Sequence, residues 1–256
     1  MRLLGHTLTA TAIATLALLV APACADNDQS IFIRQALAPS VNRQGGACVY
    51  TGDPQQPALF EGVVDVAVRD NYSAILLVGN QMIQRGDPLA ARTEPNRAKI
   101  TGAIVRVTDA NGNSLGEFTS LSQGFVDAAT GAVPSFGPIQ IIAIDAPTMS
   151  RIANGLAPGQ TRLILANIRA FGESLGGVDL ETDEYQLPIR VCNRCLISFL
   201  TGDDPLTPGI DCNRQTTTGG TGGTGGGAEA EPPCSAGQDE VVPCEFCQDR
   251  EACKGG

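Results

Sequence analysis

The chain has 256 residues, of which 43% are hydrophobic, and its formal net charge at pH 7 is -10. This acidity argues against nucleic-acid binding, which needs a basic surface, and against electrostatic attachment to anionic lipid. The only histidine is His6. A chain that loses its first residues therefore has no imidazole for a Ser-His-Asp or Cys-His nucleophile or for a histidine metal site.

The first two dozen residues have the parts of a secretory signal. Arg2 supplies a positive charge, an uncharged and largely apolar run covers residues 8–20, and small residues follow. The run is roughly 13 residues long, which is short of the ~20 residues that a membrane-spanning helix needs. We therefore predict a signal peptide at residues 1–23 and an exported protein.

Cys24 is the predicted lipid anchor. Ala23 fits the residue that a lipoprotein signal peptidase expects before the cysteine, whereas Ala21 and Pro22 depart from that pattern. Cleavage by an ordinary signal peptidase, after Ala23 or after Ala25, is the alternative. The chain has nine cysteines, and removal of Cys24 to a lipid or with the signal leaves eight, which can pair completely. Palmitate or similar acyl chains would anchor the protein, since each buried methylene contributes ~0.8 kcal/mol.

After a tether at residues 24–30, short apolar runs alternate with turn residues. The predicted strands cover residues 30–37, 62–69, 72–79, 98–108, 115–120, 139–144, 160–171 and 184–191, and short extended pieces are predicted at residues 48–50 and from residue 125. An Asn-Gly pair within residues 109–113 predicts a hairpin, and residues 147–154 followed by Gly155 predict a short helix. In residues 62–69, Val64, Val66 and Val68 are predicted to share one face.

The eight or nine strands predicted before residue 192 are not separated by long helices. This spacing predicts an all-β protein, with an antiparallel, immunoglobulin-like β-sandwich at residues 31–191. A disulfide-rich, largely irregular C-terminal extension is expected to follow it.

The extension divides into three parts. Residues 192–215 form a cysteine-containing extension, residues 216–231 a flexible Thr/Gly-rich linker, and residues 232–256 a small disulfide-stapled segment. We expect the last segment to pair its four cysteines internally and to move independently of the sandwich. The alternative is a disulfide that reaches back to Cys192, Cys195 or Cys212.

Eight cysteines are predicted to form four disulfides in the oxidising compartment that an exported protein enters. They are Cys48, Cys192, Cys195, Cys212, Cys234, Cys244, Cys247 and Cys253. We expect Cys48 to bridge to Cys192 or Cys195. A zinc site built from the two Cys-x-x-Cys pairs is a weaker interpretation, because 48 residues separate the pairs against the ~15–20 of a typical zinc site. A thioredoxin-like redox role is weaker still, since no βαβ unit surrounds either pair.

Two acidic patterns could hold calcium. Asp109-x-Asn111-x-Asn113 resembles the start of a calcium loop, but the acid needed at the twelfth position is Ser120, so we favour a hairpin turn. The acidic cluster consists of Asp179, Glu181, Asp183 and Glu184. A solvated acidic loop is the favoured interpretation of that cluster. No catalytic residue, cofactor or metal ligand is predicted.

The C-terminal cysteine pattern resembles a family of myxobacterial-type lipoproteins of unknown function. The resemblance is carried by the signal, by Cys192-Asn193-Arg194-Cys195, by the Gly-Ile-Asp-Cys run of residues 209–212, and by residues 237–247 with their Pro-Cys-Glu-Phe-Cys run. It covers no motif of the sandwich. The resemblance implies lipidation of Cys24 and implies no activity.

We therefore expect a non-enzymatic lipoprotein that serves as a binding or structural module of the bacterial cell envelope. It would be held on the outer membrane by its lipid, with a secreted or periplasmic protein as the alternative location. An envelope protein or a glycan is the expected partner. The competing function is an extracellular hydrolase that uses carboxylate or calcium chemistry on a β-sandwich; the lack of histidine after residue 6 favours the first interpretation.

Overall fold

A computed structural model describes residues 30–40, 43–44, 47–86, 94–198 and 234–243. The predicted signal peptide, residues 24–29 of the predicted tether and the Thr/Gly-rich linker lie outside the described residues. So do five cysteines, which are Cys24, Cys212, Cys244, Cys247 and Cys253.

The described part of the chain contains thirteen strands and one helix. The strands are β1 (Ile31–Ala36), β2 (Arg43–Gln44), β3 (Ala47–Cys48), β4 (Gly62–Asp65), β5 (Tyr72–Asn80), β6 (Ala98–Asp109), β7 (Ser114–Val126), β8 (Ser135–Ile144), β9 (Thr161–Ser174), β10 (Asp179–Glu181), β11 (Tyr185–Cys192), β12 (Ile197–Ser198) and β13 (Val242–Pro243). The helix is α1 (Ala146–Ala153). The all-β prediction is therefore confirmed.

Two sheets make up the body. The smaller sheet has the order β1-β5-β8, and the larger has the order β4-β11-β9-β6-β7 with β10 beside β9. Every pair in them is antiparallel except β4 with β11, where Gly62 lies opposite Ile189 and Asp65 opposite Cys192 in parallel register. The antiparallel sheets thus carry one parallel pair at an edge. A parallel pair needs a long crossover, and here the intervening chain passes through both sheets.

The core lies between the inner faces of the two sheets. Alternate residues of β9 (Ile164, Ala166, Ile168 and Ala170) are fully buried, and they meet Leu76 and Val78 of β5 in one apolar cluster. This period-2 burial is what the alternating sequence of residues 160–171 predicts. The core is therefore built from short β-branched and aliphatic side chains.

The predicted hairpin and the predicted helix are both confirmed. Asp109 accepts hydrogen bonds from the backbone N–H groups of Asn111 and Asn113, at 2.8 and 2.9 Å, and Gly112 adopts a φ of +84° in the turn. Helix α1 begins at the Asp145 cap, whose side chain accepts from the N–H of Thr148 at 3.1 Å. It ends before Gly155, which has a φ of +84°.

Two predicted elements differ from the structure by more than a shift of a few residues at their ends. Residues 62–69 were expected to form one strand, but β4 stops at Asp65 and a turn follows. The stop occurs because the Asp65 side chain accepts a hydrogen bond from the N–H of Ala67 at 3.0 Å, which folds the chain back. Phe125 and Val126, expected to begin a short extended piece, instead end the 13-residue β7.

The two ends of the sandwich carry different connections. At the end where β1 starts, the Asn80 side-chain amide donates to the carbonyl oxygens of Asn96 and Val126, at 2.8 and 3.3 Å, and so joins the two sheets. We call this the tether end; its described loops are residues 81–86, 94–97, 127–134 and 175–178. The far end is the opposite one, and it holds residues 66–71, 109–113, 145–160, 193–196 and 234–243.

Strands β7 and β8 belong to different sheets but lie side by side along one seam. Ser120 Oγ accepts a hydrogen bond from the backbone N–H of Ile142 at 2.8 Å, and Ser122 Oγ donates to the carbonyl oxygen of Gln140 at 2.7 Å. Ser120 is buried, with 4% of its surface exposed, whereas the Ser122 bond is open to solvent. Two serine hydroxyls thus replace the backbone ladder that the seam lacks.

The substitution Ser120→Ala should lower the free energy of unfolding by about 1–3 kcal/mol, because it leaves the partly buried Ile142 N–H without an acceptor. Ser122→Ala is the matched control, and it should cost about 0.5 kcal/mol or less, because water can replace the exposed hydroxyl. Urea denaturation of the two variants measures both values. Equal losses would show that the seam does not depend on the buried serine.

Candidate functional site at the far end of the sandwich

The far end is organised by the carboxylate of Asp65, the last residue of β4. Its side chain is fully buried. Oδ1 accepts from the backbone N–H groups of Ala67 at 3.0 Å and Arg194 at 2.7 Å, and Oδ2 accepts from that of Leu196 at 3.0 Å. A buried charge is tolerated only when such bonds replace its hydration. One carboxylate therefore fixes both the 66–69 turn and the loop that follows β11.

The loop after β11 contains the disulfide Cys192–Cys195, with Cα atoms 5.8 Å apart, a normal spacing for a disulfide. Cys192 is fully buried, whereas Cys195 is exposed. Arg194 between them adopts a left-handed φ of +62°, which costs energy for a residue with a side chain. The bond from its N–H to Asp65 helps to offset that cost. This Cys-x-x-Cys pair thus forms a disulfide, as predicted, rather than a zinc site.

A second disulfide joins Cys48 to Cys234 across 186 residues. The expectation that Cys48 bridges to Cys192 or Cys195 is therefore wrong. The physical reason is that those two cysteines sit three residues apart on one tight loop and close on each other. In the chain-entropy model a loop as long as that between Cys48 and Cys234 contributes roughly 5 kcal/mol.

The same disulfide overturns the prediction that the C-terminal segment moves independently. Residues 234–243 pack on the sandwich: the N–H of Asp65 donates to the carbonyl oxygen of Gly237 at 2.9 Å, and β13 pairs with β12. The side chain of Arg69 also donates to the hydroxyl of Ser235. The described part of the segment is thus a docked strap across the far end, which we call the docked segment.

Gln238 and Asp239 give the docked segment its most specific contacts. The Gln238 amide accepts from the N–H of Ser73 at 2.9 Å and donates to the carbonyl oxygen of the same residue at 2.6 Å. It therefore pairs with β5 as a neighbouring strand would. Asp239 accepts from the N–H of Val63 at 2.6 Å and from the hydroxyl of Tyr72 at 2.8 Å.

This contact perturbs two acid groups. Burial raises the pKa of the Asp239 carboxyl above its ordinary value, although the bonds from Val63 and Tyr72 act in the opposite direction. Burial, and next the nearby Asp239 charge, raise the pKa of Tyr72 well above its ordinary value. The space left beneath the docked segment is a cavity of about 20 Å³, which is room for one water molecule. This part of the far end is closed rather than a binding cleft.

An open groove of about 520 Å³ lies beside the docked segment, between the 66–70 turn and helix α1. The helix presents one face to it, formed by Ala146, Met149, Ser150 and Ala153, which follow the spacing of a single helical stripe. Its size falls in the range of ligand-binding sites in proteins. The groove wall is set by Asp65, because that carboxylate shapes the 66–69 turn.

The helix is positioned by apolar and polar contacts together. Met149 and Ile152 are buried in the core, and a Cβ on Gly116 of β7 would clash with Thr148 Oγ1. Glycine at that position therefore lets the Thr148 side chain pack directly against β7. The groove beside the helix is therefore a built feature of the far end and not a loose surface loop.

The predicted acidic cluster is spread along the larger sheet. Glu181 pairs with Arg169 at 2.9 Å and Glu184 with Arg106 at 3.0 Å, while Asp179 and Asp183 are exposed. Asp179 and Glu181 belong to β10, so the cluster is not a single loop. The Asp109 turn is likewise occupied by its own amides: bonds from Asn113 and Asn111 lower the pKa of Asp109.

Among the described residues, one set of three possible metal ligands has its ligand atoms within 4.8 Å of one another: Asp65, Cys192 and Cys195. The two cysteines are joined to each other, and the Asp65 oxygens accept three backbone N–H groups. The donor atoms of this set are therefore already engaged within the protein.

The sequence matches no protein-family model, no curated protein and no solved structure. The resemblance to myxobacterial-type lipoproteins and the lipidation of Cys24 thus stay predictions. Within the part of the chain that the structure describes, no helix is both long and apolar enough to cross a membrane.

Sequence reasoning missed Asp65, Gln238, Asp239 and the groove. Asp65 carried one weak signal, an acid placed inside an apolar alternating run. Gln238 and Asp239 carried none, because their partners lie about 165 residues earlier in the chain.

We expect Asp65→Ala to lower the free energy of unfolding by at least about 3 kcal/mol, because it leaves three backbone N–H groups without their acceptor. Asp70→Ala is the control, since Asp70 is exposed five residues further along the same turn, and it should change stability by about 0.5 kcal/mol at most. Urea denaturation monitored by circular dichroism gives both values. A loss below 1 kcal/mol for Asp65→Ala would contradict its central role.

Asp239→Asn should change how stability depends on pH. Because the folded pKa of Asp239 is raised, its stabilising contribution is complete below the unfolded pKa of about 4 and is lost as the pH rises through the folded pKa. Asparagine keeps an acceptor for Val63 and does not ionise. Denaturation of both proteins at a series of pH values should show that the free energy of unfolding of the wild type falls relative to that of the variant from about pH 4 upward. A difference that is constant or moves the other way would contradict the assignment.

Proposed function

We propose that this protein is an exported lipoprotein, anchored through Cys24, that acts as a non-enzymatic binding module of the bacterial cell envelope. The disulfides support export, because Cys48–Cys234 and Cys192–Cys195 form and persist in oxidising compartments. The length and small-residue ending of the N-terminal apolar run support a processed signal rather than a spanning helix.

The observation that carries the binding role is the position of the groove beside α1. It lies at the far end, whereas Ser30, the last residue of the predicted tether, lies at the tether end, where its carbonyl oxygen accepts from the N–H of Gln81 at 2.9 Å. Strand β9 alone runs about 45 Å between the two ends. A protein anchored at one end would thus present the groove away from the membrane.

The lining of the groove favours a protein partner over a glycan. Its accessible surface consists of small side chains with the charged Arg69 and Asp70, since Met149 is only 2% exposed, and it includes no aromatic ring on which a sugar could stack. The partner class that fits is a segment of another envelope protein. The ion pairs of Glu181 and Glu184 favour a structural role for those carboxylates over the hydrolase alternative.

Two measurements on the full-length chain test this proposal. In a bacterium grown with labelled palmitate, the wild-type protein should take up label and Cys24→Ser should not. Affinity capture from the native envelope should then retain a partner that Ser150→Arg loses, because the new side chain fills the groove. Ser122→Arg on the exposed β7 seam is the matched control and should retain the partner. An unlabelled, soluble wild type would refute anchoring, and equal capture by both arginine variants would refute the groove as the binding site.

A further inference from the structure

The tether end carries an unusual share of the exposed apolar surface. Nine large apolar side chains are exposed in the described part of the chain, and five of them lie in or beside the loops of this end. They are Ile83, Phe125, Val133, Leu175 and Val178. Val133 and Val178 are 73% and 61% exposed, so neither is covered by the rest of the sandwich. We call these five residues the apolar rim.

The loops that bear the apolar rim are held in place by backbone hydrogen bonds. The N–H of Gln84 donates to the carbonyl oxygen of Ala129 at 2.8 Å, and the N–H of Ala129 donates to that of Met82 at 2.8 Å. On the other side of this end, the N–H of Leu175 donates to the carbonyl oxygen of Arg97 at 2.9 Å. The exposed side chains are therefore presented by a fixed platform.

The charges of this platform cancel. Its described loops contain two basic residues, Arg85 and Arg97, and two acidic ones, Glu94 and Asp127. The Asp127 carboxylate pairs with the Arg97 guanidinium at 2.9 Å. The same guanidinium lies 4.7 Å from the centre of the Phe125 ring. Glu94 accepts from the N–H groups of Arg85, Gly86 and Asn96, which lowers its pKa. Although the whole chain is acidic, these four loops carry no net charge, and exposed Asp179 beside Val178 adds a single negative charge. Little repulsion from an anionic surface is therefore expected of them.

The chain outside the structure indicates what covers the apolar rim. Strand β1 begins at this end, with Ile31 opposite Asn80, and only residues 25–29 separate Ser30 from the predicted anchor at Cys24. Even fully extended, that stretch reaches roughly 20 Å. The tether end must then stay within that distance of the bilayer, whereas the far end is free to point away.

The geometry points to the tether end as a membrane-contacting face, on which the apolar rim inserts its side chains into the lipid interface. The inference rests on the proposed lipid anchoring and names what the anchor brings into contact. The anchor supplies durable attachment, and the apolar rim sets the orientation, because apolar side chains partition into the boundary between headgroups and acyl chains. The groove beside α1 is thereby held facing outward.

The chain contains no tryptophan, so a single introduced tryptophan reports its own surroundings. We would place it at Val178 or Val133 in the apolar rim. Val241→Trp at the far end is the matched control, since Val241 is also an exposed valine, at 54% against 61% for Val178. The full-length lipidated variants would be reconstituted into vesicles of phosphatidylethanolamine and phosphatidylglycerol, with and without bromine on the acyl chains.

In vesicles, the tryptophan fluorescence of Val178→Trp and Val133→Trp should lie at shorter wavelength than that of the same variants carrying Cys24→Ser, measured in solution without detergent. Brominated lipid should quench most of the fluorescence in vesicles. Val241→Trp should keep its wavelength and its intensity. The use of two rim positions keeps the test decisive if one variant fails to fold. Palmitate labelling of every preparation shows whether the anchor is present.

The outcomes separate the two proposals. Labelled protein whose rim tryptophans are not quenched would overturn the inference while leaving the anchor intact, and this is also the result expected if another protein covers the tether end. Equal quenching at all three positions would overturn it as well, since the body would then lie flat on the bilayer. Absence of label in the wild type would refute the anchoring on which the inference rests.

Discussion

The arrangement of the far end depends on a single buried carboxylate. Asp65 ends β4, and its two oxygens accept three backbone N–H groups from two separate stretches of chain. Its own N–H donates to the docked segment. A charge without water in a protein interior costs several kcal/mol unless such bonds compensate it. The turn, the disulfide loop and the docked segment must therefore all keep their places for Asp65 to remain buried.

The constraint at Asp65 reaches the surface through the 66–69 turn. That turn forms one wall of the groove, and helix α1 forms the other. The helix is fixed independently, by its Asp145 cap and by close packing on Gly116. Two separately stabilised walls give a groove that exists before any partner binds. A preformed site costs less ordering on association than a loop that must fold onto its partner.

Much of the fold could be predicted from the sequence because its determinants are local. The hairpin between β6 and β7 follows from an Asn-Gly turn between alternating runs, and the end of α1 follows from Gly155. What failed is non-local. Residues 62–69 alternate like a strand, but β4 ends at Asp65, whose side chain turns the chain back through the N–H of Ala67. That carboxylate is held buried by residues about 130 positions later. No local pattern encodes such a contact.

The site was harder to predict than the fold for the same reason. The partner of Cys48 depends on which chain segments meet, and the even number of cysteines after the linker wrongly suggested that they pair among themselves. The groove arises only when the 66–69 turn with Asp70 and helix α1, some 80 residues apart in sequence, lie side by side. Cysteine counts and hydrophobic periods predict that disulfides and strands form, but they do not fix which segments become neighbours.

The central claim is that the C-terminal segment is part of the sandwich, docked at the far end and linked there through Cys48. Disulfide mapping of the unreduced protein tests it most directly. Trypsin leaves Cys48 as the only cysteine of residues 44–69 and separates Cys192 from Cys195 by cutting after Arg194. Mass spectrometry should find residues 44–69 linked to residues 215–250, with fragmentation placing the bond at Cys234. Linkage of residues 44–69 to residues 191–194 or 195–214 would contradict the docked segment.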